Sequence, residues 1–428
     1  MRTVDVGILL APCIKFDLIG DFVCDGITFS GEKEVVFDGG KLLFNGAAFD
    51  SLHFVPVNGG CCFSLHDVVI GVNFHWQRKE DQSFKGELCF IMEEGAVRAV
   101  NRILVEDYLQ SVISSEMSAT SSLELLKAHA VISRSWLYAQ LQRKEAVQNG
   151  TMGWETPDEI VRWYAREDHT LFDLCADDHC QRYQGVTRAL NPNVELAVKA
   201  TENMVLKYGG EVCDARFSKC CGGATERFSA CWEGVDFPYL AAFRDCSEGA
   251  LPDLTTEKGA RAWIETSPDA FCMSPGTEVL SQVLNNYDRE THDFYRWKVS
   301  YTQEELSRLV KERSGIDFGT IEDLQPVERG ASGRIVRLRI VGSKCVKVVG
   351  KELEIRRWLS PSHLYSSAFV VDKVVDEATG ALSLLLKGAG WGHGVGLCQI
   401  GAAVMGAKGY GYRAILEHYY PGASLEEI

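Results

Sequence analysis

Between Val4 and about Val97 the apolar positions fall in short alternating runs, VGILLAP, ITFS, EVVFDGGKLLFNG, VVIGVNFHW and ELCFIMEEG, broken by Gly and Asp. A period of two, interrupted by turn formers, predicts strands joined by tight hairpins. Asp38 to Gly40 and the pair Asn45 and Gly46 are turn signals, so this region is expected to be mostly antiparallel sheet. Phe74, Trp76 and Phe84 read as core or sheet-face residues, with a sugar-stacking platform as the alternative. At Val105 the period changes. Leu104, Tyr108 and Val112 recur every four residues and Glu116 takes the next position on that face, which predicts a helix whose apolar stripe ends in a carboxylate. Ser121 followed by Glu124 has the form of a capping box, and Leu123, Leu126, Ala130 and Leu137 carry a second helical period. Two helices are therefore expected to meet at a short polar joint beside Glu116.

Further on, NVELAVKATENMVLKYGGEVCDARFSKCCGGATERFSACW predicts a helix, a strand, a tight turn, a second strand and a Gly-rich loop. DFYRWKVSYTQEELSRLVKERSG reads as a strand leading into an amphipathic helix, and RIVRLRIVGSKCVKVVGKELEIRRWL as strands around a Gly turn. RGASGR, from Arg329 to Arg334, lacks the Gly-Lys-Ser/Thr ending and following helix of a phosphate loop, so a hairpin turn is expected there. These elements imply an α+β protein: a mixed, mostly antiparallel sheet, a helical pair carrying Glu116, and an inserted α/β region. The division expected is an N-terminal β-rich region over 1–97, core segments at 98–245 and 385–428, and the insertion at 246–384.

Composition narrows the partners. A hydrophobic content of 46% fits a folded chain with a large core, and the formal net charge of −15, without a dense basic run, leaves no electrostatic footprint for nucleic acid. No stretch reaches the roughly 20 apolar residues of a membrane helix. The N-terminus shows no signal peptide, which implies an absent leader or an intracellular protein. Fifteen cysteines, an odd number with adjacent pairs at Cys61–Cys62 and Cys220–Cys221, do not suggest a disulfide framework and favour a reducing compartment or metal ligation.

Three sites carry candidate chemistry. Burial at the helix junction would raise the pKa of Glu116, the condition for protonating a leaving oxygen near neutral pH; the alternative is a solvated residue or a cap. His169, Cys175, His179 and Cys180 lie within twelve residues, a borderline-soft donor set that suits tetrahedral zinc, although chance clustering is the rival in so cysteine-rich a chain. Four protein ligands would make such a zinc structural, at one per chain. Glycines at 388, 390, 392, 394 and 396 present His393 on bare backbone, for either close approach of a ligand or a tight packing crossing.

EDYLQSVISSEM followed by LELLKAHAVISRSWLYA resembles the signature of the stage II sporulation protein D family, which includes cell-wall lytic transglycosylases and amidase-enhancer proteins. In that family the glutamate immediately before the methionine is the catalytic acid, and the resemblance carries this role onto Glu116. Lys127 and Arg134 also fall on the pattern and are implied as substrate-binding residues; His129 stands in place of a glutamine and Ser135 in place of a threonine. Some members hold zinc through a histidine and cysteine cluster where this chain has His169, Cys175, His179 and Cys180. The stretch ending GG-x-T-E follows a serine-rich run in the family; here Lys219 to Cys221 replace most of it, leaving Ser218 and Thr225 as hydroxyl contacts. GWGHGVGLCQIGA and the HYYPG ending form a second match, which implies His393 and Gln399 as cleft residues and His393 facing Glu116.

The resemblance covers roughly Val97 to Asp245 and Leu385 to the end. It implies cleavage of the peptidoglycan glycan strand between N-acetylmuramic acid and N-acetylglucosamine, with 1,6-anhydro-muramic ends. The partners implied are that strand and other cell-wall hydrolases. Two alternatives stand beside this: a non-catalytic cell-wall module that enhances an amidase, and a cytoplasmic protein with a repurposed fold.

Overall fold

A computed structural model describes residues 2–71, 78–118, 121–144, 153–164, 169–177, 180–187, 192–273, 276–283, 293–377 and 380–428. The chain forms two compact units, each built from separated segments: residues 1–145 with 166–204, and residues 146–165 with 205–428. The architecture is α+β with mostly antiparallel sheet, as the sequence pattern implies. Among the described residues no helix is long and apolar enough to cross a membrane.

The first unit is organised on an eleven-stranded sheet. Its long hairpin, Cys13–Cys24 against Ile27–Asp38, and the turns at Gly39–Gly40 and Asn45–Gly46 follow the predicted alternation. Inward positions fill the core with rings: Phe16 lies 4.9 Å from Phe90 and Phe44 5.3 Å from Phe54, measured between centroids. Phe84 belongs to this core, fully buried and stacked at 5.4 Å on Phe63; Phe74 and Trp76 lie outside the described residues. The N-terminal strand Thr3–Ala11 pairs antiparallel with Ala96–Leu104 and, on its other edge, parallel with the two-residue strand Leu174–Cys175. Ala96–Leu104 runs directly into helix α1, Val105–Glu116, which is followed by α2, Leu123–Lys144, and later by α3, Pro192–Ala200.

Two details of the helical pair differ from expectation. Leu104 is the residue preceding α1 and is 38% exposed, so the buried stripe starts at Tyr108. A strand precedes it, and the chain is still turning from extended to helical there. Ser122 rather than Ser121 caps α2, accepting the Leu125 N–H at 3.3 Å, while the Ser121 hydroxyl donates to the Ser118 carbonyl at 2.8 Å.

In the second unit, Gly153–Glu155, Glu159–Arg162, Val346–Gly350, Ile335–Gly342 and Ile321–Arg329 form one mixed sheet in that order. Arg296–Thr302, Leu382–Ala389 and Phe369–Val375 form an antiparallel one. The helices are α4 (Glu257–Thr266), α5 (Thr277–Val283), α6 (Gln303–Ser314), α7 (Glu352–Trp358), α8 (Gln399–Ala407) and α9 (Tyr412–Tyr419). Trp297, Leu306, Val310, Leu338, Ile340, Trp358 and Leu384 share one buried cluster, which explains why the strand-to-helix reading at 296–314 holds. Thr302 and Glu305 make a full capping box there. KELEIRRW corrects the sequence reading: instead of a strand it forms α7, with Ile355 and Trp358 packed in that cluster at helical spacing. The Arg329 to Arg334 segment is the expected hairpin turn, between Ile321–Arg329 and Ile335–Gly342.

Candidate active site

Glu116 is the last residue of α1, half-buried, with Met117 closing the helix by donating its N–H to the Ile113 carbonyl at 3.0 Å. Its carboxylate accepts the Arg182 backbone N–H at 3.1 Å. That donor sits in a segment fastened to both helices. Tyr108 donates its hydroxyl to Gln181 Oε1 at 3.2 Å, the Gln181 amide donates to the Ser133 carbonyl at 3.4 Å, and the Gln184 N–H donates to Ser111 Oγ at 3.2 Å. Burial first, then the nearby Cys180, Tyr183, Cys175 and Glu116, hold the Tyr108 phenol well above its ordinary range, so it stays a donor. Arg182 and Gln181 were missed in the sequence because one acts through its main chain and the other through contacts made by folding; neither belongs to a recognisable pattern.

The same segment carries the sulfur cluster. Leu174–Cys175 is fixed as an edge strand, the Cys180 N–H donates to the Asp177 carbonyl at 3.0 Å, and the resulting turn returns Cys180 to Cys175, whose N–H points at Cys180 Sγ at 3.5 Å. His169 stacks on Phe172 with centroids 4.6 Å apart, and its Nε2 lies 3.6 Å from Cys180 Sγ. The ligand atoms of His169, Cys175 and Cys180 all lie within 4.8 Å of one another. A tetrahedral zinc with Zn–S near 2.3 Å and Zn–N near 2.05 Å spaces its ligands by about 3.5–3.8 Å, so these three donors fit such an ion. His179 lies outside the described residues.

The other expected binding residues make the following contacts within their own units. Lys127 is paired with Glu124 at 2.6 Å. Arg134 has no exposed side chain; its guanidinium makes a two-point contact with Glu106, at 2.8 and 2.5 Å, and donates to the Met204 carbonyl at 3.0 Å, tying α2 to α1. His129 is buried beside Ser133 Oγ at 3.1 Å. In the second unit Thr225 is buried, its hydroxyl donating to the Ala241 carbonyl at 3.0 Å and accepting the Phe243 N–H at 2.9 Å. Ser218 and Gln399 are both buried, Gln399 as the first residue of α8.

His393 belongs to the second unit and Glu116 to the first. The imidazole is half-buried, accepts the Val395 N–H on Nδ1 at 3.0 Å and meets Trp232 edge to face at 5.0 Å. Burial, then Arg216, Arg334 and Arg356, keep it well below the usual histidine range, so it is neutral.

The glycines around it are crowded by the protein itself. A Cβ on Gly390 would lie 2.7 Å from the Cys220 carbonyl oxygen, one on Gly394 2.4 Å from Arg334 Cζ, and one on Gly396 2.0 Å from the Arg216 carbonyl oxygen. Close approach of its own chain therefore accounts for them. Arg334, fully buried, donates to the Gly392 carbonyl at 3.0 Å and to Ser332 Oγ at 2.9 Å. Ser332 in turn holds Glu226, the buried last residue of the GG-x-T-E stretch, which also accepts N–H groups from Arg227, Ala331 and Ser332 at 2.8, 3.0 and 3.0 Å. The Gly-rich turn at Arg329 to Arg334 thus cradles an internal carboxylate instead of a phosphate.

Comparison with known proteins fits this arrangement. The stage II sporulation protein model matches residues 93–208, the span that contains α1, α2 and the His169 cluster, and a domain of unknown function matches residues 226–396. An uncharacterized protein of Brachyspira hyodysenteriae is 26% identical over 343 residues, covering 80% of this chain and 72% of its own length. The amidase enhancer of Bacillus subtilis is 26% identical over 334 residues, covering 74% of this chain and 40% of its own length. The stage II sporulation protein D of Bacillus subtilis is 22% identical over 334 residues, covering 78% and 77%. The span that matches the stage II sporulation protein model runs through both helices and the sulfur-bearing turn, with Glu116 at the end of α1, so this part of the chain carries the stage II sporulation protein domain.

Proposed function

We propose that this protein acts on the bacterial cell wall as a peptidoglycan lytic transglycosylase, with Glu116 as its single acid and base. The observation that carries the reading is the half-buried Glu116 carboxylate at the helix junction, fixed by the Arg182 N–H at 3.1 Å. Glu116 would give its proton to the glycosidic oxygen as the bond to the muramic C1 breaks. The carboxylate left behind takes the proton of the muramic C6 hydroxyl, and O6 closes on C1 to the 1,6-anhydro ring. No water is consumed, and a second carboxylate at fixed separation is unnecessary, because the ring's own hydroxyl is already positioned.

His169, Cys175 and Cys180, with His179 as a fourth candidate, would hold a zinc ion whose contribution is to lock the turn leading to Arg182. Chemistry at the sugar is left to Glu116. The amidase enhancer among its relatives favours a second reading, a wall-binding module without its own cleavage.

One experiment separates the two. Glu116→Gln keeps the shape and removes the proton, so wild type should release anhydro-muramic ends from purified glycan strands and the variant should release about 10²–10⁴-fold fewer. Unchanged cleavage by the variant would exclude Glu116 as the acid. No cleavage by the wild type, with amidase stimulation in its place, would select the second reading.

A further inference from the structure

The second unit holds another group of metal-binding side chains, remote in sequence from His169 and its partners. Cys221, Asp245, Cys272 and Cys398 each offer one ligand atom, and the four atoms lie within 4.8 Å of one another. All four residues are at most 2% exposed. Cys221 Sγ is 3.6 Å from Cys272 Sγ and 3.2 Å from Asp245 Oδ2. Around a tetrahedral zinc, sulfur–sulfur and sulfur–oxygen edges are about 3.8 and 3.5 Å, given Zn–S near 2.3 Å and Zn–O near 2.0–2.2 Å. We propose that Cys221, Cys272, Cys398 and Asp245 form a second, structural zinc site.

The surroundings are those of a ligand shell. Asp245 turns Oδ2 toward Cys221, while Oδ1 is held from behind by the Tyr419 hydroxyl at 2.9 Å and His418 Nε2 at 3.1 Å. Cys398 stands at the N-terminus of α8, and its sulfur accepts two backbone N–H groups, from Cys221 at 3.2 Å and Gly401 at 3.4 Å, which is the environment of a thiolate. Arg296 brings a guanidinium to the same loop, donating to the Gly222 carbonyl at 3.0 Å. Three thiolates and one carboxylate give a tetrahedral zinc a net charge of −2, and this cation offsets part of it. The ligands come from four separate stretches: the Gly-rich loop, the segment at Asp245, the loop after α4, and the start of α8. An ion here would tie the four together. Four protein donors leave no open position, so the role is structural. On loading, Zn²⁺ displaces one proton from each ligand that is still a thiol.

The test uses the full chain, purified under reducing conditions after growth with ample zinc. Elemental analysis of a Cys175→Ser/Cys180→Ser variant, which disables the first cluster, should still find about one zinc per chain. Adding Cys272→Ser and Cys398→Ser should remove it, whereas Cys345→Ser should not. Because the quadruple variant could misfold, the double variant stripped of metal and titrated with Co²⁺ gives an independent readout: tetrahedral d–d bands with thiolate charge transfer and proton release. Zinc absent from the Cys175→Ser/Cys180→Ser variant together with featureless Co²⁺ spectra, or zinc that survives loss of Cys272 and Cys398, would overturn the proposal. Neither outcome bears on cleavage by Glu116, so failure here is distinct from failure of the enzymatic reading.

Discussion

Glu226 shows what a buried charge demands of its neighbours. Its side chain is fully buried, and three N–H groups and the Ser332 hydroxyl converge on it. Replacing it with alanine leaves all four donors without their acceptor in a site closed to water. Glu226→Ala should therefore lose on the order of 3–5 kcal/mol of unfolding free energy, read from the urea midpoint, and Glu226→Gln appreciably less. A loss under 1 kcal/mol for the alanine variant would mean that water reaches the turn. This residue was visible in the sequence only as the end of GG-x-T-E, and nothing local could reveal its cradle, because three of the four donors arrive from a turn about a hundred positions away.

At the scale of elements, periodicity carried most of the information. The strand alternation from Val4, the 3- to 4-residue period of α1 and α2, and the strand-to-helix step at 296–314 all appear where the pattern predicts. Two kinds of feature escaped it. One is the helix boundary, where Ser121 and Ser122 are equally good caps and only the fold selects Ser122. The other is a short segment such as KELEIRRW, whose alternating charges and apolar residues satisfy both periods until Ile355 and Trp358 find a core to fill.

The glycine run was legible as a demand for close approach, but its object was not. Gly396 has φ +70°, and a Cβ there would meet the Arg216 carbonyl oxygen at 2.0 Å. Gly396→Ala should accordingly destabilise the second unit by about 2–3 kcal/mol, whereas Gly234→Ala, with open space around its Cβ, should be near neutral. Thermal melts of the two variants compare them directly. Equal melting temperatures would contradict the crowding described.

For the molecule as a whole, half-buried histidines set an acid limit. Burial, then Arg356, Arg313 and Arg357, push His363 down to about 4, and His393 is likewise held well below its ordinary range. Unfolded histidine binds a proton near pH 6.5, so below that value the unfolded chain gains protons that the folded one refuses. Stability is complete above pH 6.5 and falls as the pH drops toward 4, by on the order of 1–2 kcal/mol from His363 alone between pH 6.5 and 5. Urea midpoints at pH 7 and pH 5 should show this loss, and His363→Gln should flatten it. A pH-independent midpoint over that window would refute the assignment.

The two units also impose an order on synthesis. Glu159–Arg162 leaves the ribosome long before Val346–Gly350, the strand it pairs with in parallel, and Thr3–Ala11 waits for Leu174–Cys175. Residues 153–164 are thus an early-made piece of the later unit, emitted in the middle of the earlier one. A nascent chain that stalls after α2 would carry Glu116 but neither Arg182 nor the turn that presents it. In such truncated products the carboxylate lacks its partner, which it acquires only once translation has passed both cysteines of the first cluster.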